Sequence, residues 1–320
     1  MLRQSARTRA STHLSRVAAF GSVKLSSIGD YLVYVLVRSF IAVVQAITIE
    51  RCHAIACVLA YVANDLIGLR RKVVDDNIAQ TYPHLSVGQR RRFSRRMWEH
   101  LFLMVCEVAH APRTIGETTW REHVRIRDTR GLVSAMLDSR PCVIVTGHYG
   151  NFEIAGYLTG MFGFRPYTIA RPLDNPFLHD FITRFREAKG QYMLPKNGSA
   201  PMVEKVLAAG GLLTLLADQY AGPKGCWVDF LGRPASCHKA LALFTLTSGA
   251  PMAVIYNRRL DRPMQFELGH TGIADPLIPA EHLGGVRQMT EWYNRRLEDA
   301  IQLAPEQYWW VHRRWKGEPP

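Results

Sequence analysis

The run Pro141-Cys-Val-Ile-Val-Thr-Gly-His148-Tyr-Gly-Asn-Phe-Glu153 sets a histidine directly after a short apolar segment and a carboxylate five residues beyond it. Neutral imidazole takes a proton from a hydroxyl near pH 7, and a carboxylate beside it fixes its tautomer and steadies the imidazolium that forms. Residues five apart on one helix do not share a face. His148 therefore belongs on the loop before a helix that Glu153 opens, with Gly147 and Gly150 letting the backbone turn the imidazole toward Glu153. This makes His148 the candidate general base and Glu153 its candidate orienting group. The bland alternative is a surface or satisfied core pair, which a lone His near a Glu more often is.

Two further sites follow apolar runs in the same way. Arg171 comes after Tyr167–Ile169, and Asp218-Gln219 after Leu212–Leu216. A guanidinium at 171 can clamp a phosphate in bidentate fashion or make a surface ion pair. Asp218 can accept a hydrogen bond from a sugar, position Arg171, or serve a turn, and Gln219 beside it is a candidate binding residue. Asn151 can cap the helix carrying Glu153 or contact substrate. No Gly-x-Ser-x-Gly elbow announces a nucleophilic serine.

The elements that hold these residues alternate from about residue 120. Strand-like runs at Cys142–Val145, Tyr167–Ile169, Leu212–Leu216, Met252–Tyr256 and Met264–Leu268 interleave with helix-like runs at Phe152–Met161, Pro176–Ala188, Ala200–Leu207, Cys237–Thr247 and Gly285–Leu303. That texture predicts an α/β fold, a layered αβα domain over 119–320 with a largely parallel or mixed sheet. Ligands in such sheets lie past the carboxyl ends of the strands, where one crevice can hold His148, Arg171 and Asp218. Upstream, Ser86 reads as the cap of a long helix to about His110, with Phe93, Met97, Leu101, Met104 and Val108 at helical spacing. It belongs to a helical region over 70–118.

The net charge of +13 asks for an anionic partner. Residues 1–28 form a basic, Ser-rich tail expected to be disordered, and basic clusters recur at Arg70-Arg71-Lys72, Arg90-Arg91-Arg92 and Arg313-Arg314. Nucleic acid is disfavoured, because no helix-turn-helix, zinc finger or basic–aromatic module is present. The six cysteines form no Cys-x-x-Cys, so neither a structural zinc site nor any other metal site is expected, and four of them read as small core residues. Segment 29–69 reads as membrane-associated helices. Within it Tyr31–Ile49 is apolar for nineteen residues but contains Arg38, which costs roughly 2.5–3.5 kcal/mol near a bilayer centre. It can span, lie in the interface, or be a core helix.

His-x4-Glu after a buried strand resembles the active-site block of the lysophospholipid acyltransferase superfamily. Four further stretches narrow the resemblance to the late lauroyl and myristoyl acyltransferases of lipid A biosynthesis. They are Arg70-Arg-Lys-Val-Val-Asp-Asp-Asn-Ile-Ala-Gln-Thr-Tyr-Pro83, Ala170-Arg-Pro-Leu-Asp-Asn-Pro176, Ala217-Asp-Gln219 with Phe230-Leu-Gly-Arg-Pro-Ala235, and Ala304-Pro-Glu-Gln-Tyr-Trp-Trp-Val-His-Arg-Arg-Trp-Lys316. The likeness runs from about Tyr31 to Lys316. It implies a fatty acyl transfer from an acyl carrier protein or coenzyme A thioester, with no resident cofactor, to a hydroxyl of an anionic glycolipid such as a lipid A precursor. It also implies attachment to the inner membrane with the catalytic domain on the cytoplasmic face. A phosphoinositide mannoside or another phospholipid as acceptor, a hydrolase, and a non-enzymatic membrane-binding protein stand as alternatives. Trp309, Trp310, His312, Arg313 and Trp315 read as a structural tail or a membrane-interface edge.

Overall fold

The structure, a computed structural model, describes residues 25–320. In chain order the elements begin with α1 (Leu25–Ala46), α2 (Ile49–Tyr61), α3 (Arg71–Thr81), α4 (Val87–Thr114) and the single turn α5 (Trp120–His123). There follow β1 (Val124–Ile126), α6 (Arg130–Leu137), β2 (Cys142–Thr146), α7 (Phe152–Met161), β3 (Pro166–Ala170), α8 (Pro176–Glu187), β4 (Tyr192–Pro195), α9 (Ala200–Ala208) and β5 (Leu212–Leu216). The chain closes with β6 (Cys226–Phe230), β7 (Arg233–Cys237), α10 (Lys239–Ser248), β8 (Met252–Arg259), β9 (Phe266–Ala274) and α11 (Val286–Gln302).

Seven strands form one sheet in the order β1-β9-β8-β2-β5-β3-β4. Strands β8, β2, β5, β3 and β4 run parallel, and β9 turns antiparallel to β8. The expected mixed, mostly parallel αβα domain is what forms. Strand β2 lies mid-sheet and every residue of it is buried, which is why its sequence is continuously apolar rather than alternating. Val143 and Val145 face a core shared with α9, α10 and α11, while Cys142 and Ile144 face α6 across the other side. Strands β1, β4 and the β6–β7 hairpin went unpredicted, being short or half-exposed runs with little periodic signal.

Helix α4 starts at the expected cap Ser86, which with Gln89 makes a reciprocal capping box. Its residues Met97 and Trp98, with Val74 and Ile78 of α3, join the same core as β2 and β5. Region 70–118 is thus packed into the α/β core.

The expected basic tail falls mostly on residues 1–24, outside the described ones, and Leu25–Ile28 already belong to α1. Helix α1 contains a stretch, Ser27–Ala46, of 20 residues with mean hydropathy 1.6, of which 6% is buried. At 1.5 Å per residue that is about 30 Å, the thickness of a bilayer's hydrocarbon. Such exposure removes the core-helix reading. Helix α2, which follows within segment 29–69, packs by one face: its Cys52 and Ala56 are buried with Leu103 and Cys106 of α4.

Candidate active site

Strands β2 and β5 pair in parallel with Thr146 opposite Leu216, and the Ala217 amide donates to the Thr146 carbonyl at 2.8 Å. Two residues further along each strand stand His148 and Asp218, brought side by side by that register. Asp218 Oδ1 accepts from His148 Nδ1 at 2.8 Å, and Oδ2 accepts from the His148 backbone N–H at 2.8 Å. A Cβ on Gly147 would stand 3.2 Å from the Asp218 carboxyl carbon, so that glycine lets the carboxylate close in. Gly150 has φ +57°, and a side chain there would collide with the Asn257 backbone.

The Asp218 side chain is 0% exposed and the His148 side chain 15%. Burial pushes the Asp218 carboxyl up, but the adjacent His148, through charge and both hydrogen bonds, outweighs it and brings the pKa down to about 2. Asp218 is therefore an anion at neutral pH. It fixes the proton on Nδ1 and leaves the Nε2 lone pair facing outward.

The expected partnership of His148 with Glu153 does not form. Glu153 opens α7 but turns aside to a bidentate pair with Arg186 of α8, the Nε to Oε2 bond being 3.0 Å. The carboxylate on the imidazole comes from the neighbouring strand, not from the following helix. Gln219 does reach the ring: its Nε2 lies 3.4 Å from His148 Nε2 and 3.4 Å from His312 Nε2. Asn151 is buried; it caps α7 through Ile154 N–H and donates to Glu107 Oε2 at 3.0 Å, a structural post. Arg171 sits after β3, two strands from β2 and so about 10 Å along the sheet edge. Its side chain is 75% exposed and pairs with Asp174 at 3.1 Å, so it is not gathered against the imidazole.

The C-terminal run, expected to be a tail or an interface edge, closes the site. Tyr308 bridges Tyr149, and the Trp309 amide donates to the His148 carbonyl at 3.0 Å. Phe152, Trp309 and His312 surround the imidazole at ring separations of 5.0, 5.1 and 5.0 Å. His312 is held in place from α3, where Asn77 Nδ2 donates to the Trp310 and His312 carbonyls, both at 2.8 Å. Burial, and then the charge of His148, push the His312 pKa down to about 4, so it is neutral at neutral pH. Sequence reasoning missed His312 and Asn77; both lie inside the stretches that carried the family resemblance, which was the available signal.

Beneath the site, Glu107 of α4 is buried against Arg259, and His100 donates through Nε2 to the Gly150 carbonyl at 3.2 Å while Arg259 occupies its Nδ1 at 2.9 Å. Burial and Arg259 together push the His100 pKa well below its ordinary value. This network fixes the loop that presents His148. On the sheet face below, an apolar cavity of about 90 Å³ begins at Thr146 and Phe152 and runs past Ile144, Leu216 and Ala155 to Met136. His53, Cys57 and Glu99, which bring ligand atoms within 4.8 Å of one another, sit on α2 and α4, with His53 and Glu99 lining a cavity shared with His100 and Arg259.

Residues 21–317 match the family of the bacterial lipid A biosynthesis acyltransferases. The chain belongs to this family. Among its relatives, the lipid A biosynthesis lauroyltransferase of Escherichia coli K12 is 26% identical over 275 residues, covering 83% of this chain and 86% of that protein. The lipid A biosynthesis palmitoleoyltransferase of the same organism is 23% identical over 253 residues, covering 78% and 80%. The 1-acyl-sn-glycerophosphate acyltransferase PlsC of Thermotoga maritima overlaps 78% of this chain and 98% of its own at 10% identity and a TM-score of 0.34. The chain is thus an acyltransferase.

Proposed function

We propose that this enzyme transfers a fatty acyl group from an acyl carrier protein or coenzyme A thioester to a hydroxyl, including that of a hydroxyacyl group, on an anionic glycolipid of the lipid A type. The observation that carries the reading is the buried His148–Asp218 pair, whose imidazole packs 5.0 Å from the ring of Phe152, a residue that lines an apolar cavity. His148 Nε2 takes the proton of the acceptor hydroxyl as its oxygen attacks the thioester carbon. The carbonyl π pair moves to oxygen, then collapses to expel the thiolate, which takes up the proton from His148. Asp218 stabilises the imidazolium between those steps. The Gln219 amide, on contacts as long as 3.4 Å, occupies the place where that hydroxyl must bind and yields to it. Gln219 and neutral His312 then lie within reach of the developing oxyanion. The acyl chain enters from Phe152 along the cavity, which at about 90 Å³ is smaller than a fatty chain and must widen to take it. Helix α1 attaches the enzyme to the inner membrane, with the sheet end on the cytoplasmic side.

Mass spectrometry of total lipids from cells making the wild type or His148→Ala tests this. A lipid that gains one acyl group only with the wild type supports it and names acceptor and chain length together. Identical profiles from two folded, membrane-bound proteins would overturn it in favour of thioester hydrolysis or lipid binding.

A further inference from the structure

Arg38, a charge amid the apolar residues of α1, has a place in the structure that the acyl-transfer site does not use. Helix α1 is anchored at both ends. Near its start, Tyr31 packs edge-on to Phe177 at 5.4 Å and the Asp30 carbonyl accepts from Asn175 at 2.8 Å, tying it to α8. Near its end, Gln45 donates to the Ala109 carbonyl at 2.7 Å, tying it to α4. Between these ties α1 stands away from the body and leaves an apolar cleft of about 870 Å³ walled by α1, α4 and α8. That is at the upper end of ligand sites, which run to about 1,000 Å³. Arg38 lies in its wall with the guanidinium 4.7 Å above the Phe181 ring. Among the described residues neither Arg38 nor Arg184, also in the wall, has a carboxylate within ion-pair distance; of the wall's two carboxylates Glu153 is paired with Arg186 and Asp180 is unpaired, so these three arginines outnumber the acids by one charge.

The geometry points to this cleft as the binding site for the anionic lipid acceptor, entering sideways from the bilayer, an assignment that rests on the function proposed above. The cleft borders α1, an exposed apolar helix long enough to span a membrane, so a lipid reaches it without leaving the bilayer. Its aromatic wall suits acyl chains, and the free guanidiniums suit a phosphate. The first turn of α7 separates the two apolar spaces: Phe152 lines the cavity below the sheet, and Glu153 the cleft. His148 stands just ahead of that turn. Donor and acceptor chains can therefore occupy different spaces on the two sides of that turn, the imidazole lining neither but packing 5.0 Å from the Phe152 ring between them.

The test uses the full-length protein in non-ionic micelles with a phosphatidic acid bearing a diazirine in one tail, irradiated and mapped by peptide mass spectrometry. Adducts should fall on Met104–Pro112 and Phe177–Phe185. Val105→Trp, at an exposed wall position, should remove most of them without lowering the melting temperature. A lipid A precursor should displace the probe where phosphatidylglycerol does not, and Arg38→Gln should weaken that displacement about tenfold. Adducts confined to outward residues such as Leu36 and Val43, unchanged in Val105→Trp, would overturn the assignment, as would equal displacement by both lipids. Acyl transfer assayed on the same samples separates the two ideas. Cleft labelling that Val105→Trp abolishes, with no transfer by the wild type, sinks the catalytic proposal and leaves the cleft as a lipid site. Transfer with an unchanged acceptor KM in both variants sinks the cleft alone.

Discussion

Replacing Asp218 by Asn tests the mechanism most sharply, because it removes a charge and inverts a hydrogen bond while keeping the shape. The carboxylate makes two bonds of 2.8 Å, one to the His148 backbone and one to Nδ1. Asparagine can keep the first by presenting its oxygen to the backbone N–H. Its amide then faces Nδ1 and donates to it, so the ring proton moves to Nε2. The lone pair needed by the acceptor hydroxyl is now turned into the protein, and the anion that steadied the imidazolium is gone. An orienting aspartate with both roles contributes about 10³–10⁴ to kcat, or about 4–5.5 kcal/mol. We expect kcat to fall by that factor with little change in KM for either substrate, measured by transfer of a labelled acyl group. Nitrogen chemical shifts of His148 should report the exchanged tautomer. Activity within about tenfold of wild type would refute the reasoning, as would an unchanged tautomer.

Glu153→Gln, in contrast, should cost far less in kcat than Asp218→Asn and act mainly on acceptor KM, since Glu153 bonds Arg186 rather than the imidazole; a loss as deep as that of His148→Ala would restore Glu153 to the catalytic pair. Because His312 is shifted from 6.5 to about 4, the unfolded chain binds its proton first as pH falls, so stability should drop by at most about 3 kcal/mol between pH 6.5 and 4. His312→Gln should flatten that limb of a melting-temperature profile. Asp218 works lower: its contribution of about 2 kcal/mol is present above pH 4 and lost as pH falls through about 2, so Asp218→Asn should remove the loss of stability below pH 4 from the same profile. Arg259→Ala strands the fully buried Glu107 carboxylate and should destabilise the protein by about 3–5 kcal/mol in chemical denaturation, far more than removal of an exposed pair such as Arg171–Asp174. Ala155→Leu narrows the cavity beside Phe152 and should shift the products toward shorter acyl chains by mass spectrometry; an unchanged chain profile would place the acyl group elsewhere.

What the sequence reveals here is local, and what it hides is between strands. The apolar run into His148, the strand ends at 171 and 218 and the capped helix at Ser86 are all written within a few neighbouring residues, and each lies where its pattern places it. Asp218 was legible as a strand-end residue. Its partner was not, because the choice between Glu153 and Asp218 depends on β5 lying next to β2, and strand order leaves no periodic trace. Arg171 shows the converse. It satisfies the same local rule, yet β3 lies one strand further out, and that distance alone separates it from the imidazole.

The same reasoning explains why the C-terminal run looked structural. Trp310 and Arg314 are core residues, Arg314 donating to the Ser236 carbonyl and lying over the Phe230 ring. In a segment held down by such anchors, an intervening histidine reads as packing. Yet the anchors are what make His312 useful: they and Asn77 hold its ring 5.0 Å from that of His148. Residues 77, 148, 218 and 312 thus converge from four distant parts of the chain. No piece shorter than 77–312 holds all four, and a fragment ending before Tyr308 would lose the bridge to Tyr149, the Trp309 bond to the His148 carbonyl and the buried anchors Trp310 and Arg314 together.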